Sequence, residues 1–226
     1  MNLGDRWAVL EVVESTQTSI SELGCDICFA HDQTQGKGRL GRKWLSEPNH
    51  SLTFSLAFRE YADHSKPWLI GMAVSLAVAQ VIDCSLQWPN DLVFERKKVG
   101  GVLTELITID SNPVPELGIG INLGQKSFPP EFLPFATSLW IEKGVNLEPL
   151  EGAKQIVEQI RSIPCPQDWA DLWPEWRSRD QTPGKRFRTP DGIDVEAIGI
   201  GPEGELLAYG NDQQMSILAA EAIFGA

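Results

Sequence analysis

Between Gly36 and Trp44 the chain reads Gly36-Lys37-Gly38-Arg39-Leu40-Gly41-Arg42-Lys43-Trp44, with basic side chains set between glycines. The chain as a whole carries a formal net charge of -12. Glycine lets the backbone approach a ligand closely and reach angles closed to other residues. Lys and Arg neutralise phosphate or carboxylate oxygens, Arg through bidentate pairs. The chemistry this stretch suits is the capture of an anion.

Two familiar phosphate-binding patterns are excluded by context. Gly36 to Gly41 spells G-x-G-x-x-G, but the dinucleotide fingerprint needs a helix directly after it. Here Trp44-Leu45-Ser46-Glu47-Pro48 leads towards an alternating strand instead. A Walker-type loop would close on Gly-Lys-Ser/Thr, which is missing. The pair Cys25 and Cys28 has C-x-x-C spacing, yet a redox motif belongs at a helix start. These residues run into a strand, where the two sulfurs are expected to face opposite sides. With Cys84 and Cys165 isolated, the cysteines read as reduced and structural. His31, His50 and His64 lack metal-binding spacing.

Other groups recur downstream. Gln87-Trp88-Pro89-Asn90-Asp91 precedes Leu92-Val93-Phe94, and Lys97-Lys98-Val99-Gly100-Gly101 follows shortly after. Then come Gly118-Ile119-Gly120-Ile121-Asn122 and Ala136-Thr137-Ser138-Leu139. Taken singly, the first is a turn before a strand, Lys98 an exposed lysine, and the glycine pair a strand under close backbone contact.

In this order and at these separations, the groups resemble the biotin protein ligases (biotin–[acetyl-CoA-carboxylase] ligases). That family carries a Gly-Arg-Gly-Arg-x-Gly-Arg-x-Trp loop, a Lys-Trp-Pro-Asn-Asp turn, a Lys-x-x-Gly-Ile/Val-Leu strand and a Gly-Ile-Gly-Ile-Asn strand. Its early Ser-Thr-Asn stands here as Ser15-Thr16-Gln17, and its Ala-Thr-Ser-Leu is intact. The resemblance runs from about Trp7 to Leu139 and weakens towards the C-terminus. Lys37 replaces Arg, Gln87 replaces Lys and Gln17 replaces Asn. Lys37 keeps the charge but loses the planar fork.

The resemblance implies a two-step acyl transfer. ATP activates biotin as biotinyl-5′-AMP, and a lysine of the biotin carboxyl carrier protein of acetyl-CoA carboxylase then takes the biotin. Lys98 and Arg39 are the expected catalytic residues, because cations are needed where charge concentrates between two anions. Biotin is expected to meet Ser15, Thr16, Gln17, Gln33, Gly36, Lys37, Gly38, Arg39, Lys98 and Gly101. ATP and the adenylate are expected to meet Arg39, Arg42, Trp44, Asn90, Lys98 and Asn122. Asp91 suits a Mg²⁺ that bridges phosphates. The loop from Lys37 to Lys43 would fold over the reactive adenylate and exclude water. A lipoate or octanoate ligase or transferase of the related fold is the nearest rival, and a non-catalytic biotin-binding protein is another.

Positioning these residues takes a sheet with helices. Strand patterns cover Trp7 to Val13, Ile27 to His31, Leu92 to Glu95, Val99 to Ile109 and Glu116 to Leu123. Ser51 to Phe58 alternates bulky and small residues, the mark of a half-buried strand. Ser15 or Thr16 is placed to cap a short helix with its hydroxyl. Pro67 opens a buried helix to Ile82, too short to span a membrane, and helical patterns recur at Leu150 to Ile163 and Trp169 to Arg177. From Gln181 onwards, glycines punctuate short apolar runs, the texture of a small β module behind a linker.

The expected class is therefore α+β. Residues 1–180 would form a catalytic domain with a central mixed sheet and flanking helices, like the class II synthetases. Residues 181–226 would form a small SH3-like β-barrel. The acidic balance and the early start of the motifs argue against nucleic-acid binding and a winged helix. A charged N-terminus without an apolar stretch points to the cytoplasm rather than secretion or a membrane. Monomer and homodimer both remain open.

Overall fold

Seven strands form one sheet in the computed structural model, which describes residues 1–109, 111–189 and 191–218. The chain begins β1 (Trp7–Val13), α1 (Thr16–Leu23) and β2 (Ile27–Gln33), followed by a small hairpin of β3 (Gly36–Lys37) and β4 (Lys43–Trp44). Next come β5 (Ser51–Ala57), α2 (Trp68–Ile82), β6 (Ser85–Gln87), β7 (Asp91–Phe94), β8 (Lys97–Ile109) and β9 (Asn112–Asn122). Three helices follow, α3 (Leu139–Lys143), α4 (Pro149–Ser162) and α5 (Trp169–Arg179). The chain continues through β10 (Arg186–Arg188), β11 (Asp194–Ile200), β12 (Leu206–Gly210) and β13 (Gln213–Ile217).

The large sheet has the order β1-β2-β5-β9-β8-β7-β6. It is mixed, because β1 and β2 run parallel while the other neighbours are antiparallel. Helix α2 is apolar on all sides, with Leu69, Ile70, Ala73, Val74, Ala77 and Val78 all buried. Such a helix belongs inside the protein, and α2 packs between β8, α4 and α5. Gly71 permits the approach to β8, since a Cβ there would collide with the Thr104 side chain.

Two expectations change. Every residue of β5 is buried, so this strand is covered on both faces rather than one. Its alternation separates bulk from smallness, not core from solvent. Leu52, Phe54 and Leu56 join Leu117, Ile119 and Ile121 of β9 in the main core. The two cysteines do not diverge either. Cys25 precedes β2 and escapes strand alternation, so it shares one small buried cluster with Cys28, Ile20 and Ala57.

The C-terminal strands make a separate antiparallel sheet, β10-β11-β12-β13, the form a small SH3-like module takes. The segment leading to it is anchored: Gln181 N donates to Leu86 O at 2.8 Å, and Thr182 is fully buried. Residue 190 and residues 219–226 of the expected second domain lie outside the described residues. Among the described residues no helix is long and apolar enough to cross a membrane.

Candidate functional site

The face of the large sheet opposite α2 is built from small and polar residues. Register places Ser51 beside Asn122, Thr53 beside Gly120, Ser55 beside Gly118 and Ala57 beside Glu116. On the other side of β9, Gly101 pairs with Gly120 and Leu103 with Gly118. Direct cross-strand partners share a face, so Gly101, Gly118 and Gly120 clear a strip across the sheet. Two side chains lie over it. A Cβ at Gly118 would stand 2.6 Å from Gln17 Oε1, and one at Gly120 would stand 2.5 Å from the Trp44 ring.

One end of the strip is a neutral hydrogen-bonding set. Thr16 N and Thr16 Oγ1 both donate to Gln33 Oε1, at 2.8 and 3.1 Å, and Thr16 Oγ1 lies 2.8 Å from Ser55 Oγ. Ser15 occupies the N-cap position of α1, but its side chain makes no capping hydrogen bond. The orphan N–H of the first turn is met instead by the Gln33 amide oxygen from β2, which corrects the expected hydroxyl cap. Gln17 donates to Glu105 Oε2 at 3.1 Å. Gly36 lies beside this set, because a Cβ there would stand 2.6 Å from Gln33 Nε2.

The basic stretch forms a small arch over the strip. Gly36 and Lys37 pair with Trp44 and Lys43, and Gly38 N donates to Arg42 O at 2.8 Å. Leu40 and Gly41 turn the chain through positive φ, at 56° and 72°. Lys37 Nζ donates to Thr18 Oγ1 of α1 at 3.4 Å. Trp44 braces the arch by resting on Gly120, and its buried Nε1 has no hydrogen-bond partner among the described residues. Arg39 points inward and is half-buried, whereas Arg42 is exposed. Burial draws the Arg39 pKa down, Asp91 pushes it back up, and the neighbouring Arg42 lowers it.

The other end is charged. Lys98 Nζ donates to Asp91 Oδ1 at 2.6 Å, and the lysine chain passes over Gly101, where a Cβ would stand 3.4 Å from Nζ. The Lys98 backbone is held on both sides, with Lys98 N donating to Phe135 O at 2.7 Å and Thr137 N donating to Lys98 O at 2.9 Å. Asn90 O accepts from Val102 N at 3.0 Å. Asn122 is buried and serves as a brace, donating from Nδ2 to Thr137 O at 3.0 Å. Phe132 and Phe135, from the Pro- and Phe-rich loop, are exposed near this end.

No three His, Cys, Asp or Glu side chains among the described residues cluster to hold a metal. A cation that arrives with phosphates needs only one or two carboxylates, and Asp91 offers one.

The structure thus gathers Thr16, Gln17, Gln33, Gly36, Lys37, Arg39, Trp44, Lys98, Asp91 and Gly101 along one strip. Ser55 and Glu116 also belong to this face and were not singled out from sequence. Their signals were present: a small polar residue in the alternation of β5, and a carboxylate inside the apolar run of β9.

Residues 9–122 match the family model described as the biotin/lipoate A/B protein ligase family. The chain is 30% identical to the bifunctional ligase/repressor BirA of Bacillus spizizenii, over 99% of this chain and 75% of that protein. It is also 30% identical to the biotin–[acetyl-CoA-carboxylase] ligase of Mycobacterium tuberculosis, over 90% of this chain and 84% of that protein. Among solved structures, a biotin protein ligase from Aquifex aeolicus in complex with biotin and ATP superposes with a TM-score of 0.77. That match covers 97% of this chain and 98% of the other, at 29% identity.

Proposed function

The chain belongs to the biotin/lipoate A/B protein ligase family, and from that premise we propose that it is an ATP-dependent biotin–protein ligase. A carboxylate oxygen of biotin attacks the α-phosphorus of ATP. The bond from that phosphorus to the bridging oxygen breaks, and pyrophosphate leaves with the electron pair. The amine of an acceptor lysine then attacks the acyl carbon of biotinyl-5′-AMP, and AMP departs.

The observation that carries this reading is the polarity of the glycine strip. A neutral set at Thr16, Gln33 and Ser55 suits a ureido ring, which needs donors and acceptors but no charge. At the far end, Lys98, Arg39 and Asp91 suit a carboxylate meeting phosphates. The glycine strip runs between them under Gln17 and the Trp44 ring, and an aliphatic chain would lie along it against that ring. This assigns Ser15, Thr16, Gln17, Gln33, Gly36, Lys37 and Gly38 to the biotin end.

Lys98 bridges the biotin carboxylate and the α-phosphate, and Arg39 and Arg42 neutralise the phosphates. Preorganised charge of this kind stabilises a transition state without reorganisation at the moment of reaction. Asn90, Trp44 and Asn122 frame the nucleotide, with the loop carrying Phe132 and Phe135 as the adenine wall. Asp91 would hold a Mg²⁺ arriving with ATP, and such an ion would neutralise phosphate charge when bound. The acceptor is assigned as the carrier protein of acetyl-CoA carboxylase, in line with the name of the mycobacterial relative. We place the domain boundary at 180/181, where the chain leaves the helices of the mixed sheet for the second sheet.

Incubation with ATP, biotin and a biotin carboxyl carrier domain tests the reading, with biotinylated carrier as the expected product. Transfer of lipoate or octanoate in place of biotin would overturn it in favour of the related ligases. Binding of biotin without any adenylate would overturn it in favour of a non-catalytic protein.

A further inference from the structure

Strand β9 ends in Asn122, two residues beyond Gly120, so the Asn122 side chain shares the face on which Trp44 rests. Ser51 is its direct cross-strand partner. The backbone that follows is pinned from two sides. Leu123 N and Gly124 N both donate to His50 O at 2.9 Å, and Ser138 Oγ donates to Gln125 O at 2.6 Å. The Gln125 side chain turns back onto the strand end. Its Nε2 donates to Ser51 Oγ at 2.7 Å and to Asn122 Oδ1 at 3.4 Å.

These contacts leave the Asn122 carboxamide one orientation. Thr137 O can only accept, and it takes a hydrogen from Asn122 Nδ2 at 3.0 Å. Gln125 Nε2 can only donate, and it faces Asn122 Oδ1. Turning the amide over would set oxygen against oxygen at Thr137 and nitrogen against nitrogen at Gln125. Gln125 is itself 5% exposed, and its buried Oε1 has no hydrogen-bond partner among the described residues. A buried carbonyl oxygen left unpaired is unfavourable, so an apolar side chain of this size would suit the packing better. What the glutamine adds is the donor aimed at Asn122 and Ser51.

A carboxamide fixed in this way reads polarity. Nδ2 keeps a second hydrogen and Oδ1 a second lone pair, which together match a base edge that offers a donor beside an acceptor. Adenine offers that pair, a 6-amino group beside a ring nitrogen, and a carboxamide engages it with two hydrogen bonds. Hypoxanthine carries an oxygen at position 6 and an N–H at position 1, the reverse arrangement. We infer that Gln125 is a specificity-determining positioning residue, which locks the Asn122 carboxamide in the orientation that accepts adenine and rejects a 6-oxopurine. The inference rests on the biotin ligase reading of the site, in which Asn122 frames the nucleotide. Gln125 acts through Asn122 and touches no substrate, so its loss alters the choice of base while biotin binding is spared.

Biotin-dependent pyrophosphate exchange on the full chain, run with ATP and with ITP, tests this in wild type, Gln125→Leu and Gln125→Met. Wild type should prefer ATP by at least about tenfold in kcat/KM. In both variants that preference should fall about fivefold, through a higher KM for ATP at nearly constant kcat, as for one lost hydrogen bond. Biotin affinity measured by calorimetry should be unchanged. An unchanged preference in both variants overturns the inference. So does an equal loss with the two nucleotides, which marks a packing role for Gln125. Equal use of ATP and ITP by wild type overturns it without any variant. Wild-type protein that supports no exchange with either nucleotide overturns the biotin ligase reading instead.

Discussion

Lys98 Nζ meets Asp91 Oδ1 at 2.6 Å because β8 carries one residue more than its partner strand. Leu92 pairs with Gly100, yet Val93 pairs with Lys98, so Val99 is the extra residue of a bulge. Strict alternation would send Lys98, three residues before Gly101, to the opposite face of the sheet. The bulge returns it to the face of Gly101 and Asp91, which are themselves direct partners. Re-aiming a side chain is a common use of bulges beside active sites. The ion pair is thus a product of backbone register, and it holds the ammonium over the glycine strip before any substrate arrives.

Lys98→Ala should abolish adenylate formation while biotin still binds measurably. Loss of a cation at the reacting phosphate is worth about 10²–10³-fold in rate. The measurement is ATP–pyrophosphate exchange beside a calorimetric titration with biotin. Normal exchange in the variant would remove Lys98 from the chemistry.

Gln33→Ala removes the acceptor shared by Thr16 N and Thr16 Oγ1. The first turn of α1 then loses its cap, at a cost of about 1 kcal/mol in stability. Biotin affinity should fall by about tenfold, with KM for ATP nearly unchanged because Gln33 lies at the neutral end. Equal losses for both substrates would contradict the polarity assigned to the strip.

How much of this was legible beforehand follows from what each feature depends on. The strands, α2 and the basic arch follow from local period and composition, and motif order gathered Lys98, Asp91 and Arg39 into one site. The meaning of the β5 alternation was not legible. A Ser, Thr and Ala face looks solvent-exposed in one strand and becomes an internal face only once α1 and Trp44 cover it. The Gln33 cap joins residues 17 positions apart, and local capping rules see only neighbours.

Gly120→Ala places a methyl group 2.5 Å from the Trp44 ring, so the indole must leave its seat and the arch loses its brace. Overpacking of this kind costs about 1–3 kcal/mol. Faster proteolysis between residues 36 and 44 and faster release of the adenylate should accompany it. In a Trp44→Ala background the same substitution should cost much less, with a coupling of about 0.5–3 kcal/mol between the two sites. Additive effects would show that Trp44 does not rest on Gly120.

Glu116 gives the fold a pH dependence in the neutral range. Only 1% of the residue is exposed, and burial raises its carboxyl from the ordinary 4.5 to about 7. Ser21 Oγ donates to it at 3.2 Å and opposes the rise. Glu105, its direct cross-strand partner, adds to the rise, while Lys37 and Arg59 oppose it. Between pH 4.5 and 7 the folded protein therefore binds more protons here than the unfolded chain. Stability is greatest below that window and falls as pH rises through it, by roughly 3 kcal/mol at 1.36 kcal/mol per unit. Asp26, held below its ordinary range chiefly by Arg6, acts at lower pH and leaves this window alone. Glu116→Gln should flatten the wild-type decline, so that the variant gains stability relative to wild type between pH 5 and pH 8. Denaturant titrations at the two pH values measure that difference, and a gap between the proteins that does not change with pH would show that Glu116 is not protonated in the fold.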